Sequence, residues 1–220
     1  TGFATHIAKC AGVSDRKFED IESDIKSLNE KSFPVLDDAC GEEMAQRILK
    51  AREEADSVGG VTETVICGTP AGVGEPWFDS VESVISHAAF SLGGVKGIEF
   101  GAGFAAADMK GSECNDPLRV SGGRIVTTTN NNGGINGGIT NGMPIIFRCA
   151  VKPTPSIAQT QDTVDFLKNE NTQLSIHGRH DPAIIRRICP VLDSVAALCV
   201  ADMLSLRYGT DVLTKGVDDR

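Results

Sequence analysis

The sequence predicts an α+β protein in which helices pack against a mostly antiparallel sheet. Some segments alternate with the period of two that is typical of strands, and others repeat apolar residues at helical spacing. Clusters of Gly and Pro separate the two kinds of segment. Their order is strand, helix, strand, helix, strand, strand, helix, which favours helices layered on a sheet. No repeat and no linker is visible, so we expect residues 1–220 to form a single domain.

The first quarter of the chain contains one predicted strand and one clear helix. Residues 2–13, GFATHIAKCAGV, are apolar enough for a first strand, and the highly charged residues 15–32 are predicted to be a solvated helix or loop. Residues 41–60 are predicted to be helical up to a Gly-Gly pair. Four apolar residues support that helix by recurring at roughly helical spacing: Met44, Ile48, Leu49 and Ala55.

The middle of the chain alternates strands and helices. Residues 61–68, VTETVICG, alternate as a strand does, and the Pro- and Gly-rich residues 69–76 form a loop. Residues 77–92 present one apolar helical face that ends before Gly93-Gly94, and residues 95–104 resemble a strand with glycine bends. Residues 106–124 are predicted to be a long, mobile polar connection.

The last third contains a strand, a loop region and the longest helix. Residues 144–157, PIIFRCAVKPTPSI, form a strand that ends in a Pro-rich loop. Residues 163–182 are predicted to hold a short amphipathic stretch followed by a compact loop. Residues 183–209 form the longest helical pattern, which Pro190 interrupts.

Composition and charge exclude several classes of protein. The formal net charge is −9 without a basic stripe, so we expect no nucleic-acid partner. No run approaches eighteen apolar residues, so we expect no membrane span. The seven cysteines are loosely spaced and form no CxxC pair, which argues against a metal site and favours a reducing, cytoplasmic location. The chain does not begin with Met, which suggests a fragment or a processed start.

Three loops carry the chemistry of this sequence. Residues 127–144, TTTNNNGGINGGITNGMP, hold ten Asn or Gly residues; they could form plain hairpin turns or a backbone surface shaped around a ligand. Residues 152–156, KPTPS, present a Lys and two hydroxyls on a Pro-stiffened loop, or simply end a strand. Residues 178–182, GRHDP, offer a guanidinium, an imidazole and a carboxylate, although Asp181 could equally be a helix N-cap.

Together these loops closely resemble the chorismate synthase family. The resemblance rests on GEPWFDSV, KGIEFGAGF, GSECND, NNNGGINGGITNGMPIIFRCAVKPTPSI and GRHDP in this order, from about residue 56 to residue 207. It implies a layered β-α-β sandwich and a cytoplasmic homotetramer. It also implies a lyase that converts 5-enolpyruvylshikimate 3-phosphate to chorismate and phosphate by 1,4-elimination. That reaction requires reduced FMN, with NADPH as a candidate reductant, and is the last shared step of aromatic amino-acid synthesis.

The resemblance also assigns residues. It implies Asp181 as the catalytic residue, which assists proton transfer. It implies that the flavin is bound by Gly93, Gly94, Gly137, Lys152, Pro153, Thr154, Pro155, Ser156 and Arg179. We expect these loops to converge in one hollow.

This sequence differs from the family pattern at two places and lacks one of the family's motifs. Gly93-Gly94 stands where the family commonly has Asn-Ala, and Asp193 where it has Glu, whereas Arg187 matches the family Arg. The family's Gly-x-Ser-His-Gly motif and its phosphate-binding arginines are not found, so we expect a C-terminal portion that is inactive alone. The alternative is a non-catalytic flavin- or phosphate-binding module, or a truncated remnant.

Overall fold

A four-stranded antiparallel sheet forms the centre of the molecule. In this computed structural model, which describes residues 2–4 and 20–216, the strand order is β1-β2-β8-β3 and every neighbouring pair is antiparallel. The four strands are β1 (Gly2–Ala4), β2 (Gly60–Ile66), β3 (Val95–Phe100) and β8 (Ile145–Val151). The predicted combination of helices with a mostly antiparallel sheet is confirmed.

Three two-stranded hairpins are attached to this sheet. They pair β4 (Leu118–Ser121) with β5 (Arg124–Thr127), β6 (Ile135–Asn136) with β7 (Ile139–Thr140), and β9 (Gln161–Asp165) with β10 (Glu170–Leu174). The helices are α1 (Ile21–Glu30), α2 (Asp38–Glu53), α3 (Val81–Phe90), α4 (Gly111–Cys114), α5 (Ile185–Tyr208) and α6 (Val212–Lys215).

The main core lies between the sheet and two helices, α3 and α5. The inward face of β8 carries Ile145, Phe147 and Cys149, all buried, because alternate residues of a strand point to the same side. The same core includes Ile85 of α3 and Leu192 of α5. Burial raises the pKa of the Cys149 thiol to about 11, so this cysteine stays protonated and packs as a small apolar residue.

The strand register defines two ends of the sheet. At one end, Val151 of β8 is paired with Gly60 of β2 and Val95 of β3; we call this the Val151 end. At the other, Ile145 is paired with Ile66, and Phe100 of β3 reaches Phe147; we call this the Ile145 end. The seven residues of β8 separate the two ends by about 20 Å, since a strand rises about 3.3 Å per residue.

The N-terminal elements differ in part from the sequence prediction. Strand β1 covers residues 2–4 of the predicted first strand, and the rest of that prediction lies outside the described residues. Helix α1 is not solvated throughout, because Ile21 and Leu28 are buried against a cluster that includes Val65. The segment was predicted to be solvated because it is rich in charged residues, but it is an amphipathic helix with one apolar stripe.

Helix α2 begins and ends earlier than its sequence pattern suggests. The Asp37 carboxylate accepts hydrogen bonds from the backbone N–H groups of Ala39 and Cys40 and so forms the N-cap. The helix ends at Glu53, and Ala55 lies outside it with a positive φ of 56°. The Gly-Gly pair at residues 59–60 therefore does not end the helix but leads into β2.

Two segments that were predicted as loops are ordered hairpins. Residues 106–124 contain the short helix α4 and most of the β4–β5 hairpin instead of an irregular, mobile connection. Residues 161–174 form the β9–β10 hairpin, where an amphipathic stretch and a loop were expected. Both hairpins contain few buried side chains, so neither shows the clean alternation by which strands are recognised in sequences.

Helix α5 continues through Pro190. The predicted interruption is wrong: one helix runs from Ile185 to Tyr208. It is also long and apolar enough to cross a membrane, with a mean hydropathy of 1.7 over its most apolar eighteen residues, of which 28% is buried. The expectation that no segment has this length and composition was therefore too strict. In the structure, the buried face of α5 completes the main core.

Candidate functional site

The Asn/Gly segment, residues 127–144, is a folded part of the Ile145 end. Gly101 donates its N–H to Ile146, Ile146 donates to Gly133, and Ala102 donates to Asn131. Five glycines of the segment have positive φ: Gly133, Gly134, Gly137, Gly138 and Gly142. Glycine adopts this conformation without a Cβ penalty, so the composition of the segment is largely a requirement of its backbone path.

Gly137 and Gly138 have the same conformation but different surroundings. Gly138 is buried, and its carbonyl accepts the N–H of Val81 at the start of α3. A Cβ on Gly138 would lie 2.6 Å from the Glu75 carbonyl oxygen and 2.7 Å from the Ser80 Cβ. Gly137 is exposed at the β6–β7 turn, and a Cβ there would meet nothing within 4 Å. Gly137 therefore presents bare backbone to the outside.

The Asp116 carboxylate fixes the start of the Asn/Gly segment. It accepts hydrogen bonds from the Thr129 hydroxyl at 2.7 Å, the Asn131 N–H at 2.7 Å, and the Asn132 N–H and side-chain amide at 2.9 and 2.8 Å. Burial alone would raise the pKa of Asp116, but the bonds from Thr129, Asn132 and Asn131 outweigh burial and lower it. The ionised carboxylate thus joins the GSECND stretch to the glycine-rich segment.

Replacing Asp116 by Asn is expected to lower the free energy of unfolding by about 1–2 kcal/mol at neutral pH. The Asn amide would direct its own N–H groups at the donors of Asn132, and solvent screens this partly exposed site. A group whose pKa is lowered on folding stabilises the fold above its unfolded pKa, about 3.9, and loses that contribution as pH falls through the folded value.

The difference between wild type and Asp116→Asn should therefore shrink below about pH 4. Thermal unfolding of both proteins between pH 7 and pH 3 measures it. Asp108→Asn, which removes an exposed carboxylate from the preceding 3-10 turn, is the matched control and should show no such difference. A constant difference at every pH would contradict this role of Asp116.

At the Val151 end, the KPTPS loop is held against the turn that precedes β3. The Lys152 N–H donates to the Gly94 carbonyl at 2.9 Å. The Ser57 hydroxyl donates to the Thr154 carbonyl at 2.7 Å, which fixes the middle of the loop. A Cβ on Gly94 would lie 3.1 Å from Ile184 Cδ1 at the start of α5, so the Gly93-Gly94 turn, the KPTPS loop and α5 meet here.

His180 joins the KPTPS loop to the GRHDP loop. Its Nδ1 lies 3.0 Å from the Ser156 hydroxyl, and its Nε2 lies 3.0 Å from the Ile176 carbonyl oxygen. Because a carbonyl only accepts, Nε2 carries a proton, and in the neutral ring Nδ1 then accepts from Ser156. The family resemblance assigns no role to His180, although it assigns one to each of its neighbours, Arg179 and Asp181.

Asp181 is oriented by two contacts at the start of α5. Its Oδ1 accepts the N–H of Ala183, two residues further along, at 3.3 Å, and its Oδ2 lies 3.1 Å from Arg187 Nη1. The alternative that Asp181 is the N-cap of α5 is wrong, because the helix begins at Ile185 and its N-cap residue is Ile184. The Arg187 contact has the distance of an ion pair but not the alignment of a hydrogen bond, since Oδ2 has no hydrogen-bond partner. The side chain as a whole is 24% exposed, but Oδ2 is shielded from solvent and keeps unused hydrogen-bond acceptor capacity.

The structure brings some of the predicted site residues together and separates one. Gly94, residues 152–156 and the GRHDP loop are linked by direct contacts at the Val151 end, and we call them the Lys152 cluster. Gly137 lies at the Ile145 end, about 20 Å away along β8. Among the described residues no backbone hydrogen bond joins Gly137 to the Lys152 cluster, so the expectation that all three loops share one hollow stays a prediction.

The Lys152 cluster contains polar groups that are not satisfied within the described chain. Thr154 Oγ1 is shielded from solvent and has no hydrogen-bond partner, an arrangement that is costly unless a ligand or water completes it. Lys152 is half-buried and Arg179 is exposed, and neither forms an ion pair with another described residue. Two cations and an orphaned hydroxyl suit an anionic, hydrogen-bonding ligand.

A separate cavity of about 130 Å³ opens between α3, α5 and the loop before α3. It is lined by Gly74, Glu75, Asp79, Val84, Asp202, Met203, Leu206 and Arg207. None of the predicted site residues belongs to this lining. Within residues 2–4 and 20–216, no group of three or more His, Cys, Asp or Glu side chains could hold a metal ion.

Comparison with known proteins adds the identity of the family. The family model for chorismate synthase matches residues 3–205. The chorismate synthase of Methanosarcina acetivorans is 45% identical over 208 residues, covering 94% of this chain and 56% of that protein. The enzyme of Korarchaeum cryptofilum is 50% identical over 166 residues, covering 74% and 46%. The chain thus spans about half the length of the curated relatives it matches.

A solved structure supports the same assignment at the level of the fold. A crystal structure of chorismate synthase superposes with a TM-score of 0.76 at 26% identity, covering 99% of this chain and 61% of that one. The layered arrangement of helices on antiparallel strands is therefore that of the family. Because the family model matches residues 3–205 of the 220 residues in this chain, the chain belongs to the chorismate synthase family.

Proposed function

We propose that this chain forms the flavin-binding part of a chorismate synthase. That enzyme is a lyase that eliminates phosphate from 5-enolpyruvylshikimate 3-phosphate to give chorismate, and it needs reduced FMN. The observation that carries the proposal is the Lys152 cluster. Three segments that are distant in sequence, around residues 94, 152–156 and 178–182, are joined by the Lys152–Gly94 and Ser156–His180 hydrogen bonds.

The residues of the cluster fit a flavin phosphate and a flat ring. Lys152 and Arg179 supply positive charge for an anionic group, and the Thr154 hydroxyl supplies an unsatisfied donor and acceptor. Pro153 and Pro155 fix φ on both sides of Thr154, so little conformational entropy is lost when a ligand is bound. Backbone groups at Gly93 and Gly94 have no side chain that would obstruct a ring.

The elimination breaks one C–O bond to phosphate and one C–H bond, and forms one C=C bond. When bound, reduced flavin supplies electron density to the reacting system and takes it back, so no net oxidation occurs. Lys152 and Arg179 would offset the charge of the flavin phosphate or tune the flavin electronically. Asp181 would accept the proton, held in place by Ala183 and Arg187.

The purified 220-residue chain is expected to bind FMN weakly and to form no chorismate. Titration of FMN, followed by flavin fluorescence, measures binding, and product analysis after addition of reduced FMN and substrate measures turnover. Lys152→Ala should weaken binding by at least tenfold, because it removes a cation beside the phosphate. Lys50→Ala, which removes an exposed ammonium paired with Glu54 on α2, should leave binding unchanged.

The outcomes separate this proposal from its rival. Chorismate formed by the chain alone would show that the described residues suffice for catalysis. No FMN binding, or equal binding by wild type and Lys152→Ala, would overturn the flavin assignment. A non-catalytic binding module is supported instead if FMN binds but chorismate stays absent after the missing part of the family fold is supplied as a second polypeptide.

A further inference from the structure

The KPTPS loop turns a row of polar side chains to one side. Lys152, Thr154 and Ser156 are half-buried, and the two prolines between them are exposed. This alternation is expected, because a residue that precedes a proline is held in an extended conformation and alternate residues of an extended segment point to the same side. An ammonium group and two hydroxyls therefore lie along one face of the loop.

The three polar groups of this face differ in their partners. Thr154 Oγ1 is shielded from solvent and has no hydrogen-bond partner, and Lys152 forms no ion pair with another described residue. Ser156 Oγ, in contrast, lies 3.0 Å from Nδ1 of His180. An anion on this face can use Lys152 and Thr154 directly, whereas its use of Ser156 depends on His180.

The protonation state of His180 decides what Ser156 offers to a ligand. Nε2 carries a proton in either state, since it donates to the Ile176 carbonyl at 3.0 Å. In the neutral ring, Nδ1 accepts the only hydrogen of the Ser156 hydroxyl, so the hydroxyl oxygen presents lone pairs alone. In the charged ring, Nδ1 donates to Ser156, and the hydroxyl hydrogen is free to point at the ligand.

An anion favours the charged ring for two reasons. It gains a hydrogen bond from Ser156 in place of a repulsive lone pair, and it lies near one more positive charge. We propose that His180 is a positioning residue that takes up a proton from solvent when an anionic group binds to Lys152, Thr154 and Ser156. No covalent bond to a heavy atom of the ligand changes; Ser156 reverses the direction of its hydrogen bond to His180.

This proton uptake makes binding depend on pH. On the proposed function, on which this step rests, the anion is the phosphate of FMN. Linkage is reciprocal, so a ligand that promotes proton uptake binds more tightly as pH falls through the range in which histidine becomes charged, about pH 8 to pH 5. The phosphate itself has a second pKa of about 6, and the loss of its proton favours binding at higher pH, which is the opposite sign.

Other ionisable side chains lie on the segments that meet at His180. Asp, Lys and Arg side chains titrate outside the range of histidine, so of these groups only His177 could produce a similar pH dependence. The groups are His177, Arg179 and Asp181 before α5, Arg187 in α5, Lys152 in the KPTPS loop and Asp56 in the turn before β2.

Fluorescence titration of FMN into the 220-residue chain at several pH values tests the proposal. The dissociation constant of wild type should rise about five- to tenfold from about pH 6.5 to about pH 8.5. His180→Asn keeps an oxygen that accepts from Ser156 but cannot be protonated. Its dissociation constant should equal that of wild type at about pH 8.5 and change by less than about twofold across the range.

Two further proteins and one further ligand complete the test. His180→Gln keeps a donor for the Ile176 carbonyl instead of an acceptor for Ser156, and it should also bind FMN independently of pH, so the result does not depend on one variant. His177→Gln is the matched control and should keep the pH dependence of wild type. Riboflavin, which lacks the phosphate, should bind to wild type independently of pH.

The outcomes separate this inference from the flavin assignment. If FMN binds to wild type independently of pH, or if the pH dependence survives in both His180 variants, the role of His180 is overturned and the flavin assignment stands. If FMN does not bind, the flavin assignment fails, and calorimetric titration with sulfate, whose charge is constant over this range, decides the anion site. Sulfate that does not bind, or that binds with the same pH dependence in wild type and His180→Asn, overturns the role of His180 as well.

Discussion

Asp181→Asn is expected to lower turnover by a factor of about 10²–10⁴ while leaving FMN affinity nearly unchanged. The change is made in a chorismate synthase that also contains the part of the family fold beyond this chain. The Asn side chain has the same shape and keeps an oxygen for the Ala183 N–H, so the turn before α5 survives. What it loses is the carboxylate that accepts the proton. Steady-state kinetics and FMN titration of the same preparation separate the two effects.

A second carboxylate near the cluster provides the control. Asp56 is exposed and accepts only the N–H of Ser57, whose hydroxyl holds the KPTPS loop. Asp56→Asn removes the same charge from the Val151 end and should keep wild-type turnover. If Asp181→Asn also keeps wild-type turnover, Asp181 only orders the turn before α5 and has no part in the chemistry.

Gly138→Ala is expected to be far more destabilising than Gly137→Ala. Both residues have positive φ, 89° and 60°, so each substitution carries the left-handed cost of about 1–2 kcal/mol. At Gly138 the new Cβ also collides with the Glu75 carbonyl and with Ser80, which adds about 1–3 kcal/mol for overpacking. Urea unfolding of the two variants measures the difference directly.

Each glycine serves as the control for the other, because they are adjacent in the same turn. Equal free energies of unfolding would mean that the turn relaxes around the Gly138 Cβ, so that the contacts to the start of α3 do not fix the segment. A larger loss at Gly137 would contradict the conclusion that its backbone is free to face a ligand.

Local patterns predicted the core elements of this fold. Strand β2 was predicted from its alternating residues, and α3 from the apolar stripe that includes Val81 and Ile85. Strand β8 was predicted as the segment that ends in the Pro-rich loop, and its residues are buried on both faces over Ile145–Phe147. These elements pack on the main core, where burial determines residue type. Secondary structure could therefore be predicted from the sequence for the elements whose side chains face the core.

The hairpins could not be predicted in the same way. Most side chains of β4, β5, β9 and β10 are exposed, and the apolar ones lie uncovered on the surface. Helix α5 passes through Pro190 because packing of its inner face outweighs one lost backbone hydrogen bond. Both the hairpins and the unbroken helix α5 therefore depend on contacts between residues distant in sequence, which local sequence patterns do not show.

The candidate site was only partly accessible from the sequence. The motifs gave the residues of the Lys152 cluster, but not their contacts: the Lys152–Gly94 bond joins two segments that β3 and β8 bring together. Gly137 precedes β8 and the KPTPS loop follows it, so the two lie at opposite ends of this strand. The order of the motifs in the sequence does not reveal this separation. His180 was missed because its role lies in bridging Ser156 and Ile176, a purely spatial relation.

Hydrogen–deuterium exchange with and without FMN tests the central claim, that the flavin is held by the Lys152 cluster. Backbone amides near residues 93–94, 152–156 and 178–181 should exchange more slowly when FMN is present, because the bound ligand covers them and restricts opening. Slower exchange confined to the cavity around Glu75, Asp202 and Arg207, with the Lys152 cluster unaffected, would contradict the account.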